Sequence, residues 1–288
     1  MDDIVLHPHT RTAIQQFIQK PGHALLLTAP QGAGKATAAR AIAAALLHVT
    51  IAKLASNPYV KIIEPENGRS VSIEAVRDAI HFTTLRPVTD GDITRIVVFE
   101  NGHLMTPQAQ NALLKTIEEP PVGTLVIITA VGERAVLPTI RSRVQHIAVH
   151  IPEASTLQTF FQTKGNNAAA IQKAMLMSGG LPGLMCALLA DDITHPLYAA
   201  TTAARDILQK TLFERLVLAD DIAKQRQLWT DTLFILGQMA TAALQHGTGG
   251  DAGLRRWQRI LQAVHNAERQ TIQNAQVKLV ALHFMLAL

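Results

Sequence analysis

The stretch from Arg95 to Pro121, RIVVFENGHLMTPQAQNALLKTIEEPP, constrains this chain more than any other. Ile96, Val97, Val98 and Phe99 form an unbroken apolar run rich in β-branched residues, the pattern of a parallel strand covered on both faces. The run delivers one carboxylate, Glu100, to its C-terminal tip. A helix follows. Thr106 is placed to cap it and Pro107 fits its first position. Ala109, Ala112, Leu113 and Ile117 recur at helical spacing, and Pro120-Pro121 cannot continue it. Ligands of an open α/β sheet sit at the carboxyl ends of its strands. The rest of the chain is therefore read by asking what faces Glu100.

A second strand, turn and helix lie upstream. His23-Ala24-Leu25-Leu26-Leu27-Thr28 is a compact apolar strand that runs into Ala29-Pro30-Gln31-Gly32-Ala33-Gly34-Lys35-Ala36-Thr37, and an Ala-rich helix extends from there to about His48. These are the parts of a phosphate-binding loop, in which backbone N–H groups and a helix N-terminus cradle phosphate and the lysine neutralises it. Against the pattern G-x-x-x-x-G-K-[ST], Gly34 and Lys35 fit and Gly32 adds flexibility. Ala29 stands at the first glycine position, and Ala36 stands where a hydroxyl should hold Mg²⁺. Thr37 comes one residue late, which on a helix turns its hydroxyl about 100° away. The loop shape is expected, with weak or absent nucleotide binding.

The remaining pattern places a short amphipathic helix over 7–22, a strand at Val60–Ile63, a turn at Glu64–Gly68 and a helix from Ile73 to about Thr83 capped by Ser72. Pro87–Thr94 is expected to be a loop turning at Asp90-Gly91. Thr124–Thr129 reads as another buried strand, with Thr129 at its tip in place to touch a phosphate or an attacking water. Arg141-Ser142-Arg143 follows, then a strand-like Val144–Ile151. Rigid, permanently charged guanidinium groups suit phosphate recognition. On the residues alone, an ordinary surface pair is the simpler reading.

Pro152 reads as a boundary. Residues 153–190 suggest a small helical unit broken at Lys164–Asn167 and Ser178–Gly180, with a linker at Asp191–Pro196. Beyond it the pattern is helical: to about Leu218, from Ile222 to Gln245, and from Leu254 to the end with a break near Arg269–Asn274, after a loop at His246–Gly250. Domains are accordingly placed at 1–152, 153–192 and 193–288. Arg255, Arg256 and Arg259 read as a solvated helix face.

With 288 residues, 48% of them hydrophobic, the chain is long enough for two or three such cores. Aromatics are only 4%, and the dominance of Ala and Leu favours helix-rich packing. A net charge of +4 and a sequence pI near 9.4 are compatible with a nucleic-acid neighbour and equally with an ordinary solvated surface. Cys186 is the only cysteine, which excludes an intramolecular disulfide and a cysteine-built zinc site and points to the cytosol. The opening MDDIVLHPHTR has no apolar signal core, and no apolar run has the length of a membrane helix, so a cytoplasmic protein without membrane contact is expected. The histidines are scattered without ligand spacing, so no metal site is expected.

Taken together these segments resemble the AAA+ subunits of the bacterial DNA polymerase III clamp loader. HALLLTAPQGAGK is similar to that family's strand and P-loop, VVFENGHLMTPQAQNALLKTIEEPP to its Walker B strand and following helix, and LPTIRSRV to the segment ending in its Ser-Arg-Cys motif, with Val144 replacing Cys. The close resemblance covers about residues 7–150. It implies an α/β P-loop (AAA+) parallel-sheet domain, then a small helical lid and an all-α collar that holds a ring together. The implied partners are the other loader subunits (gamma/tau and delta) and, through the complex, the sliding clamp and primed DNA.

Departures from the family pattern separate this chain from its ATPases. Active members carry Asp-Glu at the Walker B tip, where this chain has Glu100-Asn101, and Asn101 cannot act as a general base. The lid segment Ser178–Met185 lacks the Arg that reads the γ-phosphate, and the zinc module expected after the P-loop helix is missing from 49–57. Since a catalytic site acts as a unit, the resemblance implies no intrinsic ATPase, no required cofactor and no zinc. Gly32, Gly34, Lys35, Thr37, Glu100 and Thr129 become a vestigial nucleotide site that retains at most weak ATP or ADP binding. Arg143, in the family, is an arginine finger given to a neighbouring subunit's ATP, so the chain fits the delta-prime branch. A divergent gamma/tau-like ATPase using Glu100 and Thr37 stays open. So does a nucleic-acid-binding module, although basic residues are dispersed and Lys115 suits either DNA or solvent.

Overall fold

The computed structural model describes residues 4–65, 70–84, 93–245, 247 and 250–288. The expected turn at Glu64–Gly68 and loops at Pro87–Thr94 and His246–Gly250 reach outside those residues, Asp90-Gly91 entirely. The chain divides into two compact units, Met1–Pro152 and Glu153–Leu288.

In the first unit α1 (Pro8–Gln19) precedes β1 (Ala24–Thr28), α2 (Lys35–Leu46), β2 (Val60–Ile63), α3 (Ile73–Thr84) and β3 (Arg95–Phe99). Then come α4 (Pro107–Glu118), β4 (Thr124–Ala130), the single-turn α5 (Pro138–Arg141) and β5 (Gln145–Ala148). The start signals anticipated from sequence are in use. Thr106 Oγ1 accepts from the Ala109 N–H at 3.1 Å with Pro107 opening α4, and Ser72 Oγ accepts from the Ala75 N–H at 3.2 Å.

The strands form one five-stranded sheet in the order β2-β3-β4-β1-β5, parallel throughout. Every residue of β1, β3 and β4 is buried, as a sheet covered on both faces requires. On one face Leu26, Val97, Phe99, Val126 and Ile128 share a core with Leu113 and Ile117 of α4. α2 packs on β1, β3 and β4 and touches α1. Because all strands run the same way, the segments after β1, β3 and β4 meet at one end of the sheet. The segment before β5 lies at the other. The strand expected over Val144–Ile151 shortens to Gln145–Ala148, which among the described residues pairs with β1 alone.

The second unit is helical: α6 (Ala154–Thr163), α7 (Ala168–Ser178), α8 (Pro182–Leu189), α9 (Tyr198–Gln209), α10 (Leu212–Ala223), α11 (Arg226–Gln245), α12 (Gly250–Ile272) and α13 (Val277–Ala287). α7 packs on α11, so residues on both sides of the expected linker share this unit. The helices expected to about Leu218 divide at Lys210-Thr211, and their boundary with the helix expected from Ile222 moves to between Ala223 and Arg226. The first break had a legible sign: Thr211 and Glu214 form a reciprocal capping box, the T-x-x-E signature of a helix start. At the centre, the Trp229 indole N–H donates to Thr271 Oγ1 at 3.1 Å, and the ring meets Phe284 edge-on.

Candidate functional site

β1 runs straight into the Ala29–Lys35 loop, and the Ala29 N–H donates to the Ala130 carbonyl at the end of β4, which ties the loop to the tip of the sheet. Gly32 and Gly34 adopt φ of 78° and 86°, a left-handed conformation that side chains resist, and Gly34 caps α2. The loop thus has the shape that its glycines anticipated. Lys35, the first residue of α2, is only 5% exposed. Its Nζ has one long contact, 3.5 Å to the Pro30 carbonyl, and forms no ion pair among the described residues. Burial therefore pulls the ammonium down to about 8, although Glu100 pulls the other way.

Glu100 follows β3 at the same end of the sheet and is buried. Its Oε1 accepts from Arg40 Nε at 2.7 Å, and Arg40 Nη2 donates to Glu64 Oε1 at 2.6 Å. Burial opposes the Arg40 charge, but the two carboxylates outweigh it and its pKa moves up. Thr129 sits on β4, between the strand that carries the loop and the strand that carries Glu100. It is fully buried, and its Oγ1 accepts the Asn101 N–H at 2.9 Å. The hydroxyl oxygen expected to face a phosphate is thus engaged in holding the Glu100-Asn101 turn. Asn101 takes the left-handed conformation there, at φ 52°. Thr37 is exposed on α2.

Two further residues belong to this end of the sheet and were not anticipated. His103 lies close enough to Lys35 to feel its charge; burial first, then Lys35, lowers its pKa to about 4, and its Nδ1 is buried without a hydrogen-bond partner. Arg40 is the other. Its sequence signal was faint but present: after Lys35 it is the only charged residue in α2 (KATAARAIAAAL).

Arg143 is elsewhere. It follows α5 and lies two residues before β5, whose Gln145 is level with Leu25 near the start of β1. It is therefore at the opposite end of the sheet from Lys35, a strand length of roughly 15–20 Å away. Its side chain is 39% exposed; Nε pairs with Glu118 Oε1 at 2.7 Å, and Nη1 donates to the Thr139 carbonyl and to Ser142 Oγ.

Residues 8–153 match the protein family described as DNA polymerase III, delta subunit. The chain belongs to that family. Relatives of this delta-family chain include the DNA polymerase III subunit delta' of Pseudomonas aeruginosa, 29% identical over 177 residues that cover 56% of this chain and 53% of the relative. The subunit delta' of Haemophilus influenzae is 26% identical over 219 residues, 71% of this chain and 62% of the relative. The matched part thus spans between half and two thirds of these curated relatives. Among solved structures, a DNA polymerase III gamma subunit-related protein of Thermotoga maritima aligns with a TM-score of 0.57 at 17% identity, covering 96% of this chain and 97% of that one, a likeness of fold.

A P-loop fold raises the question of Mg²⁺, and the residues of this delta-family chain do not fit it. Ala36 offers no oxygen, Thr37 is turned to solvent, and the carboxylate at the strand tip already carries a guanidinium. What stands at this end of the sheet is the glycine loop with Lys35, beside a carboxylate paired with Arg40. Among the described residues no helix is long and apolar enough to cross a membrane.

Proposed function

We propose that this chain is a non-hydrolysing, delta-prime-like subunit of the bacterial DNA polymerase III clamp loader, which helps load the sliding clamp on primed DNA and supplies Arg143 to the ATP site of a neighbouring subunit. Residues 153–192 would form its lid and 193–288 its collar, with gamma/tau and delta subunits as partners in the cytoplasm. The observation that carries this reading is the separation of Arg143 from Lys35: a guanidinium at the far end of the sheet cannot serve its own phosphate loop and is exposed where another chain can meet it. A finger of this kind stabilises charge on the transferring phosphoryl group. Glu100 tied to Arg40, Asn101 in place of a base and Ala36 in place of a hydroxyl support the absence of hydrolysis in the chain itself.

The test uses the purified chain and the assembled loader. The chain alone is expected not to turn over ATP, and Arg143→Ala is expected to lower the loader's ATPase, by about tenfold or more at the site it serves, without disrupting assembly. Unchanged loader ATPase with Arg143→Ala removes the finger role. The retained, buried Lys35 favours one alternative, a divergent gamma/tau-like ATPase. Steady turnover by the isolated chain that vanishes with Lys35→Ala would select it.

A further inference from the structure

A divalent cation at a phosphate loop needs a strand-tip carboxylate with an open side, and here Arg40 takes that side. Glu100 is 10% exposed at its side chain and Arg40 37%, with Arg40 Nε 2.7 Å from Glu100 Oε1. The same guanidinium reaches Glu64 at 2.6 Å, so one permanent charge bridges the ends of two neighbouring strands. A metal ion brought to the second oxygen of Glu100 would stand beside that positive charge and be repelled by it. Arg40 comes from α2 itself, the helix whose first residue is Lys35.

We propose that Arg40 is a built-in cation that takes the place of the divalent metal at Glu100 and closes the site to Mg²⁺. This rests on the reading of the chain as non-hydrolysing and deepens it: hydrolysis is blocked by a side chain that is present, in addition to groups that are absent. Restoring the lost hydroxyl is then insufficient. The loop becomes competent for metal only when Arg40 leaves as well.

Mn²⁺ is the probe, measured by equilibrium dialysis or paramagnetic relaxation on the full chain with ADP in excess. The natural chain and Ala36→Thr are expected to show no Glu100-dependent Mn²⁺ binding. Ala36→Thr combined with Arg40→Ala is expected to bind one Mn²⁺ per chain at least tenfold more tightly than Ala36→Thr alone, and to lose it when Glu100→Gln is added. Arg40→Gln, which keeps a hydrogen bond to Glu100 without the charge, gives the same comparison should Arg40→Ala fail to fold. The proposal is overturned by Glu100-dependent Mn²⁺ binding in the natural chain or in Ala36→Thr, or by a folded double variant that gains nothing. ATP turnover by the natural chain would instead overturn the reading beneath it, and the two failures are told apart because only the second releases phosphate.

Discussion

Arg143 Nε lies 2.7 Å from Glu118 Oε1, which fastens the guanidinium to the last residue of α4 while Nη1 is held by Thr139 and Ser142. Two edges of the fork are thereby oriented by its own unit. Both side chains are about two-fifths exposed, at 39% and 46%, so the pair is worth little to folding. Glu118→Ala is expected to change stability by less than about 1 kcal/mol. If Arg143 serves a neighbouring ATP site as proposed, Glu118→Ala in the assembled loader is expected to lower kcat toward the Arg143→Ala value with KM unchanged, because it frees the guanidinium's orientation and touches no bound substrate. Arg143→Lys keeps the charge, loses the fork and is expected not to restore activity. Steady-state ATPase of the loader measures all three.

Lys35 is held in the fold at a cost. Burial holds its ammonium at about 8 against the ordinary 10.5, so between those values the unfolded chain binds a proton that the folded chain has released. Stability therefore rises with pH through that window, and the full penalty applies below it. Lys35→Met is expected to raise stability at neutral pH by on the order of 1–3 kcal/mol. The advantage should disappear above 10.5, where both states of the natural chain are neutral at this position. Urea midpoints of the two proteins across that range provide the check.

His103 acts on the acid side. Its folded value of about 4 lies below the ordinary 6.5, so the unfolded chain takes up the proton first as pH falls between them. Stability is lost across that interval and the loss is complete below it. His103→Gln is expected to flatten that part of the acid-unfolding curve, read by circular dichroism, and to leave the stability above 6.5 less affected.

Gly179 ends α7 at φ 62°, and a Cβ there would stand 2.6 Å from Gln238 Cβ and 2.9 Å from its carbonyl carbon and oxygen on α11. Both backbone conformation and space reject a side chain. Gly179→Ala is expected to destabilise Glu153–Leu288 by about 2–4 kcal/mol. Tryptophan fluorescence isolates the effect, since both tryptophans, Trp229 and Trp257, lie in that unit.

Local pattern made most elements legible. β-branched runs marked the strands, Thr106-Pro107 and Pro120-Pro121 marked the ends of α4, and the glycines before Lys35 marked a left-handed loop, because each of these acts over a few residues of chain. The Lys210-Thr211 break was equally local and was carried by the Thr211 and Glu214 capping box, a weaker sign than a proline.

What the sequence determined by itself was which chemical groups exist: a lysine after a glycine loop, a lone carboxylate at a strand tip, no hydroxyl at Ala36, an arginine before the last strand. Which charges meet was decided by the tertiary structure. Arg40 and Glu100 are 60 residues apart, and only the packing of α2 over β1, β3 and β4 brings them together. The parallel order of the sheet likewise sends Lys35 to one end and Arg143 to the other, and it assigns Thr129 to the Asn101 backbone. Hydrophobic spacing reports which face of an element is buried. Ion pairing depends on direction and distance between side chains from different elements, and those quantities exist only once the layers are stacked.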